Sequence, residues 1–328
     1  MTVQALSIPV AADVEDAARV LKGVAVRTPL LRVPMLERGG GRVFVKCETL
    51  QFTGSFKFRG AYNCISRIPQ ERRAAGVVAF SSGNHAQGVA AAAKLLGMPA
   101  AIVMPADAPL LKRERTAGHG AEVVLYDRVK ESREEISARL AAERGATLVP
   151  PFDHPHVIAG QGTAGVEICE DLAVQSLAPD IVAVPASGGG LLAGISLGVK
   201  DRHSGARMIA VEPAGFDDHA RSFASGRRER NEKLSGSICD ALLTPSPGEI
   251  TFEVNRRLVG QAVPVTDDEV RKAMAFAYRE LKLVVEPGGS VALAALLAGK
   301  IDASGKTFVA VLSGGNADAE IFRAAIAG

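Results

Sequence analysis

At 328 residues and 47% hydrophobic content, the chain has enough material for one large or two ordinary domains with a substantial core. Thirty-eight basic and 36 acidic residues are mixed along it and leave a net charge of +2, which excludes a nucleic-acid-binding stripe or a basic membrane face. Small molecules are the expected partners.

The opening "MTVQALSIPVAADVEDAARVL" has no basic segment leading into a long apolar run, and no stretch approaches a membrane span, so neither export nor insertion is expected. Cys47, Cys64, Cys169 and Cys239 are widely spaced, with no metal-ligand pattern. They read as buried thiols of a reducing, cytoplasmic compartment.

The elements follow in order. "TGSFKFR" at 53–59 sets a glycine and small hydroxylated residues before Lys57, which Phe56 and Phe58 enclose. A lysine so placed is poorly hydrated, and either starts a helix as an ordinary charge or carries a lowered pKa for covalent chemistry. From residue 76 the pattern becomes βαβαβα: "GVVAF" runs through "SSGNH" into an alanine-rich helix. "AAIVMP", a polar helix near 109–117, "AEVVLY" and a helix from Ser132 to Arg144 follow. That order predicts a parallel sheet covered by helices.

A second α/β set begins after "ATLVPPFDHP": "DIVAVP", "ASGGG" and "LLAGISLGVK", then the strand "RMIAVEP", and finally "TFVAVLSGG" with a last helix. "FASGRRERNEKLSGS" at 223–237 reads as a solvated surface loop. No internal repeat is visible, which excludes a solenoid.

Three turns at strand ends carry polar or glycine clusters. Ser187, Gly188, Gly189 and Gly190 lie between a buried strand and a helix start, where backbone N–H groups and the helix dipole can cup an oxyanion. A tight turn requiring positive φ is the alternative. The spacing is neither GxGxxG nor a P-loop, so a monophosphate suits it better than a dinucleotide. A side chain added at Gly189 is expected to project into such a cup. "SSGNHAQG" offers Ser81, Ser82, Asn84 and His85 at a second junction, suited to a carboxylate and a cofactor, or simply to an N-cap and a core histidine. Ser313 precedes Gly314, Gly315 and Asn316 at the third.

Together "TGSFKFRGA", "SSGNHAQG", "PPFDHPHVIAGQGT", "SGGGLLAGI", "VEPAGFDD", "VVEP" and "SGGN" resemble the fold-type II pyridoxal-phosphate enzymes, the tryptophan synthase β-like family. The likeness is to its branch of threonine/serine dehydratases, serine racemases and hydroxyaspartate dehydratases, from about residue 15 to 320. The resemblance implies two parallel-sheet α/β domains with the cofactor in the cleft between them. The large, discontinuous cofactor domain would span 1–68 and 154–328, and a small mobile substrate domain 76–153. It also implies a homodimer.

By this resemblance Lys57 tethers pyridoxal 5'-phosphate and takes the α-proton, Phe56 packs beside the cofactor and Asn84 meets its 3-oxygen. Ser187, Gly188, Gly189 and Gly190 hold the phosphate, and Ser313 faces the pyridine nitrogen. A hydroxyl there cannot keep that nitrogen protonated, which favours β-elimination over transamination. Ser81, His85, Arg133 and Thr244 would meet the substrate. In "VEPAGFDD", Glu212, the Phe216 carbonyl and Asp218 would bind Mg²⁺ or Ca²⁺, oxygen ligands suiting either ion. The implied reaction is loss of water from L-threonine or L-serine, giving a 2-oxo acid and ammonia.

Several features pull toward other members of the branch. Ser82 stands where threonine dehydratases commonly have alanine and racemases have the second acid/base, and Arg133 matches an arginine that reaches substrate carboxylates. Asp240-Ala241 replaces the usual Asp-Gly step. Serine racemase and threo-3-hydroxyaspartate dehydratase are therefore the alternatives. From other classes come a non-catalytic ligand-binding protein and a β-replacement synthase such as cysteine synthase. A C-terminal regulatory domain is not expected, since the chain ends soon after the "SGGN" helix.

Overall fold

The computed structural model describes residues 7–327 except Ser82 and Pro109, together with all their side chains but that of Leu111. After helix α1 (Ala11–Leu21), the chain forms β1 (Leu30–Arg32), β2 (Arg42–Cys47) and helix α2 (Lys57–Ile65). The anticipated alternation follows: β3 (Val77–Phe80), α3 (Asn84–Leu95), β4 (Ala100–Pro105), α4 (Leu110–Gly118), β5 (Glu122–Tyr126), α5 (Arg133–Arg144) and β6 (Thr147–Leu148). The second set is α6 (Pro155–Ala173), β7 (Ile181–Pro185), α7 (Gly190–Arg202), β8 (Arg207–Pro213), α8 (Asp218–Ser225), α9 (Glu249–Leu258) and β9 (Val259–Val265). Helices α10 (Asp267–Phe276) and α11 (Pro287–Leu297), strand β10 (Thr307–Leu312) and helix α12 (Ala319–Ala327) complete it.

Local chemistry sets several boundaries. Ser132 caps α5 by accepting from Glu135 N at 3.2 Å, and Gly145 ends that helix at φ 64°. Thr266 and Glu269 start α10 with a reciprocal capping box. Strand β10, "TFVAVL", is buried throughout, as the apolar run of a central parallel strand requires.

The strands form two sheets, ordered β1-β2-β10-β7-β8-β9 and β5-β4-β3-β6. All pairs are parallel except β1 with β2, an antiparallel edge that the expectation of parallel sheets lacks. Apolar clusters lie on both faces of the larger sheet, one around Phe308, Val291 and Met274 and the other around Phe44, Leu192 and Val309. A third, around Phe58, Val89 and Ile102, joins α2 and α3 to the smaller sheet. Helices α6 and α7 approach so closely that a Cβ at Gly194 would lie 2.3 Å from Ile158 O.

Strand direction positions the site. Ser81, Ser187 and Ser313 each lie just beyond the carboxyl end of a parallel strand, where open α/β sheets present their clefts. No helix among the described residues is long and apolar enough to cross a membrane.

Candidate active site

A cavity of about 580 Å³ lies between the sheets, and Lys57 reaches into it from the start of α2. Its Nζ donates to Pro151 O at 2.7 Å. Burial pushes the amine down to about 8, against a smaller opposing pull from Glu286. Lys57 is both the first residue of a helix and a desolvated amine, so features of both readings of "TGSFKFR" are present. Phe56 lies beside it, the ring centroid 5.1 Å from Nζ.

The glycine turn forms another wall, with Ser187, Gly188, Gly189 and Gly190 all lining the cavity. Gly189 has φ +88°, which a side chain disfavours, and a Cβ at Gly188 would fall 2.4 Å from the Phe152 ring. The N–H groups of Gly188, Gly189, Gly190 and Leu191 have no acceptor among the described residues. Open amides at the start of α7 are the donor set an oxyanion needs.

Asn84 and Ser313 complete this side. Asn84 donates to Glu286 Oε1 at 2.6 Å and accepts from Asn316 Nδ2 at 2.8 Å, so its amide is oriented from two directions. Ser313 is buried and lines the cavity. Glu286 sits beneath Asn84 with its carboxyl pushed up to about 7, chiefly by burial and then by Asp240. Sequence reasoning gave Glu286 no role, although it lies within the quoted "VVEP".

Among the anticipated substrate groups, Ser81 lines the cavity and its Oγ accepts from Gly83 N at 3.1 Å. It therefore caps the turn and not an amide inside α3. His85 also lines the cavity but is buried, with Nε2 donating to Val149 O at 2.9 Å. Burial, reinforced by Lys57, lowers its pKa to about 3 and keeps the imidazole neutral. Arg133 packs over Phe80, 5.3 Å from the ring centroid, and pairs with Glu134 at 2.8 Å. Thr244 shares a hydroxyl hydrogen bond with Ser187. Ser82 lies outside the described residues.

The 223–237 segment departs from the surface-loop reading in two places. Arg228 lines the cavity, and Asn231 is buried, donating to Asp218 Oδ1 at 2.7 Å and to Thr244 O at 3.0 Å. The only advance sign of this was a charge cluster, a pattern typical of solvated surfaces.

Behind the glycine turn, Glu212, Asp218 and His219 bring their ligand atoms within 4.8 Å of one another. Glu212 accepts from His219 N at 3.0 Å and Ala220 N at 3.2 Å, while Asp218 Oδ2 is buried and has no partner among the described residues. Burial raises the pKa of both carboxyls, and their proximity raises that of Glu212 further. Phe216 is buried on the same loop. His219, absent from the anticipated ligand set, stands between this cluster and the glycine turn.

A profile described as "Pyridoxal-phosphate dependent enzyme" matches residues 21–314. The chain belongs to that family. It is 42% identical over 322 residues to L-threo-3-hydroxyaspartate ammonia-lyase of Saccharomyces cerevisiae, covering 98% of this chain and 97% of the relative. It is 43% identical over 309 residues to L-threonine ammonia-lyase of Thermotoga maritima, covering 93% and 75%. The structure of maize serine racemase superposes with a TM-score of 0.90 at 35% identity, covering 98% of each chain. The family's cofactor fits what the cavity offers: a desolvated lysine amine, a nest of unpaired amides and a buried hydroxyl.

Proposed function

We propose that this enzyme of the ammonia-lyase and racemase type removes water from small β-hydroxy amino acids, with L-threonine or L-serine as substrates and a 2-oxo acid and ammonia as products. The observation that carries the reading is the desolvated Lys57 amine sharing one cavity with the glycine turn, Asn84 and Ser313.

In this reading Lys57 attaches pyridoxal phosphate, Gly188, Gly189 and Gly190 hold its phosphate beside Ser187, and Phe56, Asn84 and Ser313 line its ring. When bound, the cofactor supplies an electron sink for the bonds at the substrate α-carbon. Lys57 takes the α-proton, which a neutral amine near its pKa does well, and the β-hydroxyl departs protonated, as water. Ser81, beside the N-terminus of α3, orients the substrate carboxylate. His85, held neutral, contributes shape and hydrogen bonding without charge.

Arg133, Thr244 and Ser82 bear on which substrate is preferred. An arginine on the cavity wall supports 3-hydroxyaspartate as an alternative, and Ser82 keeps serine racemisation as another. Glu212, the Phe216 carbonyl and Asp218 would hold Mg²⁺ or Ca²⁺, consistent with two buried carboxyls whose pKa values are raised. The four buried free thiols support a cytoplasmic setting, and the family likeness supports a homodimer. The testing experiment is a panel of β-hydroxy amino acids, read as 2-oxo acid and ammonia together.

A further inference from the structure

A different buried side chain ties down each carbonyl of the glycine turn from behind. Ser187 O accepts from His219 Nε2 at 2.8 Å, Gly188 O from Thr251 Oγ1 at 2.6 Å, and Gly189 O from Asn255 Nδ2 at 3.2 Å. Gly248 N adds a second donor to Gly188 O at 3.1 Å. All three side chains are fully buried.

A trans peptide points its N–H opposite to its C=O. Fixing the carbonyls of residues 187, 188 and 189 therefore turns the N–H groups of Gly188, Gly189 and Gly190 the other way, into the cavity. The three side chains converge on one point. A Cβ at Gly189 would lie 2.7 Å from Asn255 Nδ2, 2.9 Å from His219 Cε1 and 3.0 Å from Thr251 Oγ1.

We propose that His219, Thr251 and Asn255 are positioning residues that hold the amide nest in its anion-binding orientation, resting on the reading that this nest takes the cofactor phosphate. Amides locked before the anion arrives need no reorganisation to bind it, so most of their dipolar attraction appears as affinity. Without the side-chain locks, Ser187 O loses its side-chain donor, while Gly188 O and Gly189 O keep only the backbone donors Gly248 N and Ala193 N, at 3.1 and 2.9 Å.

The test removes the cofactor from the purified holoenzyme and titrates back either pyridoxal phosphate or pyridoxal, following the absorbance of the bound cofactor. Wild type should strongly prefer the phosphorylated form. Thr251→Val and Asn255→Leu should each weaken pyridoxal phosphate by about tenfold, the equivalent of one net hydrogen bond, and leave pyridoxal unchanged. Thr251→Ser, which retains the hydroxyl and guards against a folding defect, should restore the preference. An equal loss for both ligands, or failure of Thr251→Ser to restore the preference, would overturn the positioning role. A wild type with no preference for the phosphate would instead overturn the underlying assignment of the nest.

Discussion

Lys57 Nζ and Pro151 O lie 2.7 Å apart, joining the first turn of α2 to the diproline segment that leads from the smaller sheet into α6. The bond gives a cavity-lining cation a neutral acceptor in place of a carboxylate partner. Burial there lowers the amine from its usual 10.5 to about 8.

Cofactor uptake by the cofactor-free enzyme needs the neutral amine. Its rate should rise about tenfold per pH unit below 8 and level off above that value. The stability contribution has a definite sign. Native Lys57 loses its proton at about 8, whereas the unfolded chain keeps it to 10.5, so the group opposes folding at low pH and this cost fades between those values. Stopped-flow uptake with a midpoint near 10.5 would contradict the desolvated setting.

Arg59, two residues on, faces away from this chemistry. It is 1% exposed and held by Glu48 and Glu167, while the fully buried Lys46 also binds Glu167 at 2.6 Å. Arg59→Met should destabilise the fold by about 3–5 kcal/mol, because the Glu48 charge is left buried and unpaired. Native Glu48 has a pKa below its unfolded value, so its contribution is present above about 4.5 and is lost as pH falls through the native value. Denaturant titration at neutral and acid pH checks both statements.

A divalent cation at the Glu212 and Asp218 cluster would offset the cost of two adjacent buried carboxylates. Mg²⁺ or Ca²⁺ should raise the melting temperature in proportion to the logarithm of its concentration, and Glu212→Gln should abolish the shift. A chelated wild-type protein whose melting temperature does not respond to either ion would leave the cluster as helix-capping polar groups.

Ser82 separates elimination from racemisation. Racemisation needs an acid/base on each face of the substrate α-carbon, whereas elimination needs Lys57 and an exit for the hydroxyl. Ser82→Ala should suppress L-to-D conversion of serine at least tenfold more than pyruvate formation. Chiral chromatography alongside a pyruvate assay measures the ratio, and equal losses would reduce Ser82 to substrate positioning.

Much of this arrangement is legible in the sequence because strand-end turns advertise themselves. Apolar runs broken by "SSGN", "SGGG" and "SGGN" lead directly to the carboxyl ends of β3, β7 and β10. What escapes is long-range pairing. Strand β2 pairs with β10 across a sequence separation of 265 positions, Arg42 facing Thr307.

Side-chain direction is equally hidden. A side chain at Gly189 reads from the sequence as projecting into the anion cup, yet the structure turns its Cβ toward His219, Thr251 and Asn255. Positive φ at Gly189 reverses the local direction, and no turn motif records which helices stand behind it. Glu286 and Arg228 escaped for the same reason, their roles depending on segments far away in the chain.

The most direct measurement of the central claim is 2-oxo acid and ammonia formation by the purified holoenzyme from L-serine, L-threonine and L-threo-3-hydroxyaspartate, with Lys57→Ala as the control. The account predicts equimolar products from at least one substrate and none from the folded Lys57→Ala protein. No product from any of them with cofactor bound, or appreciable turnover without Lys57, would contradict it.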